Sequence, residues 1–93
     1  MIIQKFRNYF SSNNGILDNH IYSTSWCQPC KSAKRLLDSK GMKYHDVDIE
    51  EKGWSRDDLF DLTGGRTVPQ IIIDEQPIGG YDDLLKLNQE GKL

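Results

Sequence analysis

Apolar and polar positions recur with two different periods along this chain, and each period predicts one kind of element. Between residues 2 and 10 the apolar positions return at helical spacing, which predicts a short amphipathic helix. The polar residues 11–15 then end that helix. Residues 19–23 are short and β-prone, so we expect the first strand there.

Helical spacing returns after the segment Cys27-Gln28-Pro29-Cys30 and continues to about Lys40. Basic residues occupy the outer side of this predicted helix. Its inward stripe consists of three apolar residues, Ala33, Leu36 and Leu37. Gly41 suits the helix end, because glycine adopts the left-handed conformation that often follows a helix. Residues 43–48 predict the second strand.

The second half of the chain carries its own start and stop signals. Ser55, followed three residues later by Asp58, resembles a capping box and predicts another helix, which Gly64-Gly65 ends. Residues 68–73 are the most strand-like stretch of the chain. Asp74-Glu75 is expected to turn that strand back on itself.

The order of these elements predicts the fold. The returning strand lies at residues 76–78, and Gly79-Gly80 precede a last helix with inward leucines. The first two strands must be parallel, joined by a right-handed helical crossover, whereas the last two are too close in sequence for anything but a hairpin. We therefore predict an α/β protein with a four-stranded mixed sheet flanked by helices, plus an extra N-terminal helix. This is the thioredoxin architecture.

Length and composition limit the classes of protein that remain. A chain of 93 residues allows one domain with a thin core, here residues 16–93 behind an extension of residues 1–15. The net charge of −2 is too close to neutral to indicate nucleic acid binding. No apolar run approaches the ~20 residues that span a bilayer. The start of the chain lacks the features of a signal peptide, so we expect a cytoplasmic protein. We also expect a monomer.

The charges are segregated along the sequence. Lys31 and Lys34 are among the basic residues that follow the cysteines, whereas acidic residues dominate from Asp46 to Asp61. Two interpretations stay open: the basic residues form only a solvated helix face, or they place a positive field around the cysteines.

The two cysteines are the first candidate for chemistry. They are too few for a secreted disulfide scaffold, and a Cys-x-x-Cys pair that follows a strand and opens a helix favours redox chemistry. Only a thiolate attacks a disulfide, and the N–H groups of a helix start stabilise that anion. Pro29 fits the first turn, which has unpaired N–H groups anyway. We predict that Cys27 attacks and that Cys30 resolves the mixed disulfide.

A structural zinc site is the alternative for the same pair. Cys-x-x-Cys alone is also half of a zinc site, and His20 and His45 could complete four ligands. The second cysteine pair of such sites is missing here. We therefore expect no metal.

Two further runs are candidates for substrate binding. In Thr67-Val68-Pro69, proline before a strong strand indicates either a cis bond, which would expose the Val68 backbone to an extended peptide, or an ordinary trans proline at a strand start. In Gly79-Gly80-Tyr81-Asp82-Asp83, a helix start offers N–H groups to a carboxylate. Asp82 could hold an ammonium group there, or it could simply cap the helix.

Three runs at these spacings together resemble the glutaredoxin family over residues 19–90: Cys27-x-x-Cys30, Thr67-Val68-Pro69-Gln70 and Gly79-Gly80-x-Asp82-Asp83. The resemblance implies a thioredoxin fold, a cis bond before Pro69, and glutathione as the reducing partner. It also implies disulfide-containing proteins as substrates, with ribonucleotide reductase as a candidate.

The resemblance further implies particular contacts with glutathione. The Val68 backbone would pair with its cysteinyl part, beside Pro69. Thr67 and Arg66 would lie along the peptide, with Arg66 as the candidate for the glycyl carboxylate. The γ-glutamyl head would be held by three residues at the last helix, Gly80, Tyr81 and Asp82.

This chain departs from the family pattern in ways that keep two alternatives open. Many glutaredoxins carry a basic residue where Thr24 stands, so Arg66 or Lys31 would have to supply that charge. The run Trp26-Cys27-Gln28-Pro29-Cys30 is more similar to the thioredoxin loop, which suggests reduction by thioredoxin reductase and a potential nearer that of thioredoxin. Gln28 replaces the proline that hinders cluster binding in the family, so an iron–sulfur cluster bridged between two subunits is the other alternative.

Overall fold

A computed structural model describes residues 19–93, so the predicted N-terminal helix lies outside the described residues. Seven elements follow one another in the predicted order: β1 His20–Ser23, α1 Gln28–Ser39, β2 His45–Asp48, α2 Arg56–Thr63, β3 Gln70–Ile73, β4 Gln76–Gly79 and α3 Tyr81–Gln89. No helix in this part of the chain has the length and apolar character needed to cross a membrane.

The strands form one mixed sheet in the order β2-β1-β3-β4. β1 and β2 are parallel, with His20 opposite His45. β3 is antiparallel to β1, and β4 is antiparallel to β3. The predicted four-stranded thioredoxin fold is therefore confirmed, and central strand β1 leads directly into the cysteine loop.

The strands β2 and β3 begin later than the sequence predicts, and local hydrogen bonding explains each difference. The Asn19 side chain donates to the Lys43 carbonyl at 2.9 Å, and the ladder from β2 to β1 starts only where the His45 N–H donates to the Asn19 carbonyl at 2.9 Å. β3 starts at Gln70 rather than Val68, because Pro69 has no N–H to donate to a ladder.

The main core lies between the sheet and the two helices α1 and α3. Its members are fully buried: Ile21, Ala33, Leu37, Ile71 and Leu84. Burying each of the larger side chains favours folding by about 1.5–3 kcal/mol. Leu36 is only partly buried and packs against this cluster. The core thus fixes α1 against the sheet, and with it the position of the cysteines.

Helix α2 packs against strand β3. Its Leu59 is fully buried, whereas Phe60 and Leu62 are exposed. The predicted capping box is confirmed: the Ser55 hydroxyl accepts the Asp58 N–H at 3.1 Å, and the Ser55 N–H donates to the Asp58 carboxylate at 2.8 Å. These bonds define where α2 begins, and they thereby fix the position of Arg56, the first residue of the helix.

Candidate active site

The cysteine pair lies where β1 gives way to α1. Cys27 is the N-cap residue of α1, and Cys30 lies in its first turn. The two residues form a disulfide, with their Cα atoms 5.2 Å apart. Cys30 is fully buried, whereas Cys27 retains 3% exposure. Cys27 is therefore the sulfur that a substrate can reach first.

The helix start supplies a hydrogen-bond donor to the Cys27 sulfur. The Cys30 N–H points at the Cys27 Sγ, with 3.1 Å between nitrogen and sulfur. Pro29 occupies the first turn of α1, where a missing N–H costs no hydrogen bond. In the reduced protein this arrangement favours the thiolate of Cys27, because an anion at a helix N-terminus is stabilised by the dipole and by the unpaired N–H groups.

Lys34 of α1 contributes less to this field than its sequence position suggests. Lys34 forms an ion pair with Asp46 on β2, with 2.8 Å between Nζ and Oδ2. The Ser23 hydroxyl also donates to the Asp46 carboxylate at 3.0 Å. For Lys34 the structure thus favours pairing on a helix face over a positive field at the cysteines. Lys31 is exposed.

The loop before β3 lies directly against the cysteines. The Val68–Pro69 bond is cis, which decides between the two alternatives that the sequence left open. The Val68 carbonyl oxygen is 3.6 Å from the Cys27 sulfur. The backbone of this loop is therefore within reach of a molecule bonded to Cys27.

Two open cavities meet at this loop. The first, here called the Gly80 cavity, has a volume of about 310 Å³ and is lined by Pro29, Thr67, Val68, Pro69, Gly80, Tyr81, Asp82 and Asp83. The second, the Cys27 cavity, has about 370 Å³ and is lined by Trp26, Cys27, Gln28, Pro29, Arg56, Thr67 and Val68. They share Pro29, Thr67 and Val68. Together they contain every residue that the family resemblance assigns to a contact with glutathione except Arg66.

The start of α3 forms the far wall of the Gly80 cavity. Gly80 is its N-cap residue, and its N–H donates to the Asp83 carboxylate at 3.0 Å. The capping carboxylate is therefore that of Asp83, and the interpretation of Asp82 as the cap is wrong. Asp82 is exposed on the cavity wall, so its charge is available to a ligand there.

Arg66 lines neither cavity. Its Nε lies 3.2 Å from a carboxylate oxygen of Asp57, and its guanidinium lies 4.1 Å above the Phe60 ring centroid. Arg56 lines the Cys27 cavity instead, and its guanidinium donates to the Arg66 carbonyl at 3.0 Å. Arg56 had no signal in the sequence beyond its place after the helix cap, because only the folded chain brings the start of α2 beside the cysteine loop.

Thr24 and Trp26 both lie near the cysteines, but one is buried and the other is exposed. Thr24 is buried, lines neither of these two cavities, and its hydroxyl has no hydrogen-bond partner among residues 19–93. Trp26 is 61% exposed, and its indole N–H donates to the two carboxylate oxygens of Glu50 at 3.1 and 3.2 Å. The indole is thus fixed as an apolar wall beside Cys27, through a partner that the sequence did not indicate.

The two histidines lie together on the sheet. The rings of His20 and His45, on neighbouring strands, stack with centroids 5.0 Å apart. His20 also stacks with Tyr22 at 5.8 Å. Across residues 19–93 no group of three His, Cys, Asp or Glu side chains is placed to hold a metal ion.

Comparison with known proteins agrees with this geometry. The glutaredoxin family model matches residues 20–78. The chain is 44% identical to a glutaredoxin of Pseudomonas aeruginosa over 73 residues, which cover 78% of this chain and 87% of that protein. It is 42% identical to glutaredoxin 3 of Escherichia coli, again over 73 residues, which cover 78% of this chain and 88% of that protein.

Solved structures give the same result at the level of the fold. A buckwheat glutaredoxin–glutathione complex superposes with a TM-score of 0.73 at 30% identity, covering 82% of this chain and 72% of that one. The glutaredoxin of Brucella melitensis superposes with a TM-score of 0.70 at 35% identity, covering 85% and 86%. This chain therefore belongs to the glutaredoxin family of thiol–disulfide oxidoreductases, with Cys27 and Cys30 as its cysteine pair.

Proposed function

We propose that the protein is a glutathione-dependent dithiol glutaredoxin, which reduces protein disulfides and glutathione mixed disulfides. The observation that carries this proposal is the shared wall of the two cavities: Val68 lies beside the Cys27 sulfur and also lines the cavity at the start of α3. The similar buckwheat protein is a complex with glutathione.

The chemistry of the two cavities suits the groups of glutathione, an extended peptide with a carboxylate at each end. At the start of α3, backbone N–H groups favour the γ-glutamyl carboxylate, and Asp82 favours the neighbouring ammonium. The Val68 backbone can pair with the cysteinyl part as an added strand does. Arg56 in the Cys27 cavity is the cation placed for the glycyl carboxylate.

With a glutathione mixed disulfide, the cycle needs only Cys27. Its thiolate attacks the glutathione sulfur, the disulfide bond breaks, and the other thiolate leaves and takes a proton from water. A second glutathione thiolate then attacks the glutathione sulfur now bonded to Cys27. Oxidised glutathione leaves, and the Cys27 thiolate is restored.

With a protein disulfide, Cys30 completes the reaction. Cys27 attacks one substrate sulfur and forms a mixed disulfide, and the second substrate sulfur leaves as a thiolate. Cys30, deprotonated and fully buried one helical turn away, attacks Cys27 and releases the substrate as a dithiol. The protein is left with the Cys27–Cys30 disulfide seen in the structure. Two glutathione molecules reduce it and leave as oxidised glutathione. The cycle depends on a glutathione pool that is kept reduced, so the proposal places it in the cytoplasm.

Two serine variants test this cycle. Cys27→Ser removes the nucleophile and should abolish turnover of every substrate. Cys30→Ser should keep turnover of a glutathione mixed disulfide, because glutathione itself resolves Cys27, and should lose turnover of a protein disulfide. A Cys30→Ser protein that is inactive on glutathione mixed disulfides, measured with glutathione and glutathione reductase, would contradict the glutathione-dependent cycle.

The exposed indole of Trp26 supports one alternative, in which thioredoxin reductase reduces the Cys27–Cys30 disulfide. A thioredoxin-like loop beside Cys27 is a surface that such a reductase could use. The test is turnover of one protein disulfide with NADPH and either glutathione plus glutathione reductase, or thioredoxin reductase alone. Faster turnover with thioredoxin reductase would favour the alternative.

A further inference from the structure

One buried polar side chain next to the binding loop has no part in the proposed cycle. Gln70 is the first residue of β3 and is only 6% exposed. Its side-chain amide donates to the Thr67 hydroxyl across 3.3 Å. Because a buried amide is costly unless it is hydrogen-bonded, the position of Gln70 and that of Thr67 depend on each other.

Gly65 makes room for this amide. A Cβ atom at Gly65 would lie 2.5 Å from the Gln70 Nε2 and 2.7 Å from its Cδ, so the amide would have to shift. The φ angle of Gly65 is not in the left-handed region, so its backbone would accept alanine. The adjacent Gly64 is the reverse case: its φ is +85°, and a Cβ there would meet nothing within 4 Å. Gly65 is thus required for space, and Gly64 for conformation.

Gly65 is itself fixed to the end of α2. Its N–H donates to the Thr63 hydroxyl at 3.1 Å, and that buried hydroxyl donates to the Leu59 carbonyl at 2.9 Å. A continuous set of contacts therefore runs from the last turn of α2, through Gly65 and the Gln70 amide, to Thr67. It ends one residue before Val68.

We propose that Gln70 is a positioning residue for ligand binding: clamped against Gly65, its amide holds the Thr67–Val68 segment where glutathione pairs with it. The inference rests on the proposed function, since it assumes that Val68 meets the glutathionyl group. Gln70 lines neither cavity and touches none of the reacting sulfurs. Its loss should therefore weaken binding without changing the nucleophile.

The first test removes the hydrogen bond and keeps the bulk. Gln70→Met should raise the KM for the mixed disulfide of glutathione and 2-mercaptoethanol by about twofold to tenfold, the usual effect of one hydrogen bond, with kcat nearly constant. The rate at which iodoacetamide alkylates Cys27 in the reduced protein should stay that of the wild type. A KM equal to that of the wild type, or a parallel loss of alkylation rate, would overturn the proposal.

The second test uses the close approach of Gly65 to the Gln70 amide. Gly65→Ala should push the Gln70 amide away from Thr67 and raise the KM as Gln70→Met does. In the background of Gln70→Ala, the added methyl has nothing to displace, so the double variant should have the KM of Gln70→Ala alone. Effects that multiply independently would mean that the two residues are not coupled.

Gly64→Ala is the matched control, because it strains the backbone without reaching Gln70. It should lower the melting temperature by the same amount in the wild type and in the Gln70→Ala background, and leave the KM unchanged. A Gly64→Ala protein whose KM rises as much as that of Gly65→Ala would mean that general strain at the end of α2, rather than the clamp on Gln70, sets the affinity.

The amide resonances of Thr67 and Val68, recorded without glutathione, provide a readout independent of activity. They should move in Gln70→Met and Gly65→Ala but not in Gly64→Ala. If they do so while the wild type shows no glutathione-dependent turnover, the proposed function fails and the positioning role stands. If they do not move, the positioning role fails.

Discussion

Arg56→Met tests which cation meets the glycyl carboxylate of glutathione. The sequence indicated Arg66, but the structure places Arg56 in the Cys27 cavity and Arg66 against Asp57 and Phe60. Methionine keeps much of the apolar stem of arginine and removes the charge. We expect a higher KM for glutathione substrates with little change in kcat, because the glycyl end is remote from the reacting sulfurs.

The size of the effect follows from the surroundings of the guanidinium. It donates one hydrogen bond to the Arg66 carbonyl at 3.0 Å, so it is already held in place when the ligand arrives. Hydrogen bonds to charged groups contribute about 1.5–3 kcal/mol when shielded, whereas exposed ion pairs contribute about 0–1 kcal/mol. Arg56 is half-buried beside an open cavity, so we take about 1–2 kcal/mol, between these two ranges. At about 1.4 kcal/mol per factor of ten, the KM should rise about fivefold to thirtyfold.

The assay is steady-state turnover of the mixed disulfide of glutathione and 2-mercaptoethanol, coupled to glutathione reductase. Arg66→Met is the matched control, since it removes the same charge outside the cavity while leaving the Arg66 carbonyl for Arg56. It should leave the KM unchanged. A rise in KM for Arg66→Met and none for Arg56→Met would refute the assignment.

Altering the ligand separates a direct contact from a general effect of charge. A substrate in which the glycyl carboxylate is esterified should have a raised KM with the wild type, and Arg56→Met should raise it no further. If Arg56→Met weakens both substrates by the same factor, the guanidinium does not meet the glycyl carboxylate.

Single features of the chain lead to three other predictions. Ser55→Ala removes the hydroxyl that caps α2 and should lower the free energy of unfolding by about 1 kcal/mol in urea titrations; no change would contradict the capping role. Burial, reinforced by Asp38, raises the pKa of Tyr44 from 10.0 to about 12. The unfolded chain therefore loses this proton at a lower pH than the folded protein does, so the free energy of unfolding should fall between about pH 10 and 12. Tyr44→Phe should flatten that decline. The Trp26-Cys27-Gln28-Pro29-Cys30 loop should have a reduction potential nearer about −270 mV than the roughly −200 to −230 mV of glutaredoxins. The gap of ~50 mV corresponds to about 2 kcal/mol for two electrons. Equilibration with glutathione buffers would contradict this prediction by returning a potential within or above the glutaredoxin range.

The fold was predictable because its signals are local and repeated. The apolar period places Ala33 and Leu37 on one helix face, and both are fully buried. The short connection at Asp74-Glu75 allows only a hairpin, and both residues have the positive φ that such a turn requires. The start of β2 was predicted less well, because it depends on a partner distant in sequence, the Asn19 side chain that donates to the Lys43 carbonyl.

The site residues also divide into those that could be recognised from the sequence and those that could not. Cys27 and the Thr67-Val68-Pro69 run were recognisable because their chemistry depends on neighbours in sequence. The presence of Arg56 rather than Arg66 in the Cys27 cavity was not, because it depends on how the start of α2 packs beside the cysteine loop. The choice between Asp82 and Asp83 as the cap of α3 was a matter of one residue, and geometry decides it for Asp83. Sequence patterns thus found most segments of the site, whereas only the folded chain shows that Arg56, from the start of α2, lines the Cys27 cavity.

The shared wall of the two cavities also constrains the order of events. Thr67 and Val68 line both cavities, and Val68 lies 3.6 Å from the sulfur that a substrate reaches first. In the proposed cycle, a protein segment that pairs with the Val68 backbone while its sulfur is bonded to Cys27 would occupy the position proposed for glutathione. In that cycle, glutathione can therefore pair with Val68 only after the protein substrate has left. Cys30 lines neither cavity, so in the proposed cycle it would release a protein substrate from Cys27 without any competition for Val68. If the proposed cycle holds, the buried position of Cys30 is what would allow one loop to serve both a protein and a tripeptide.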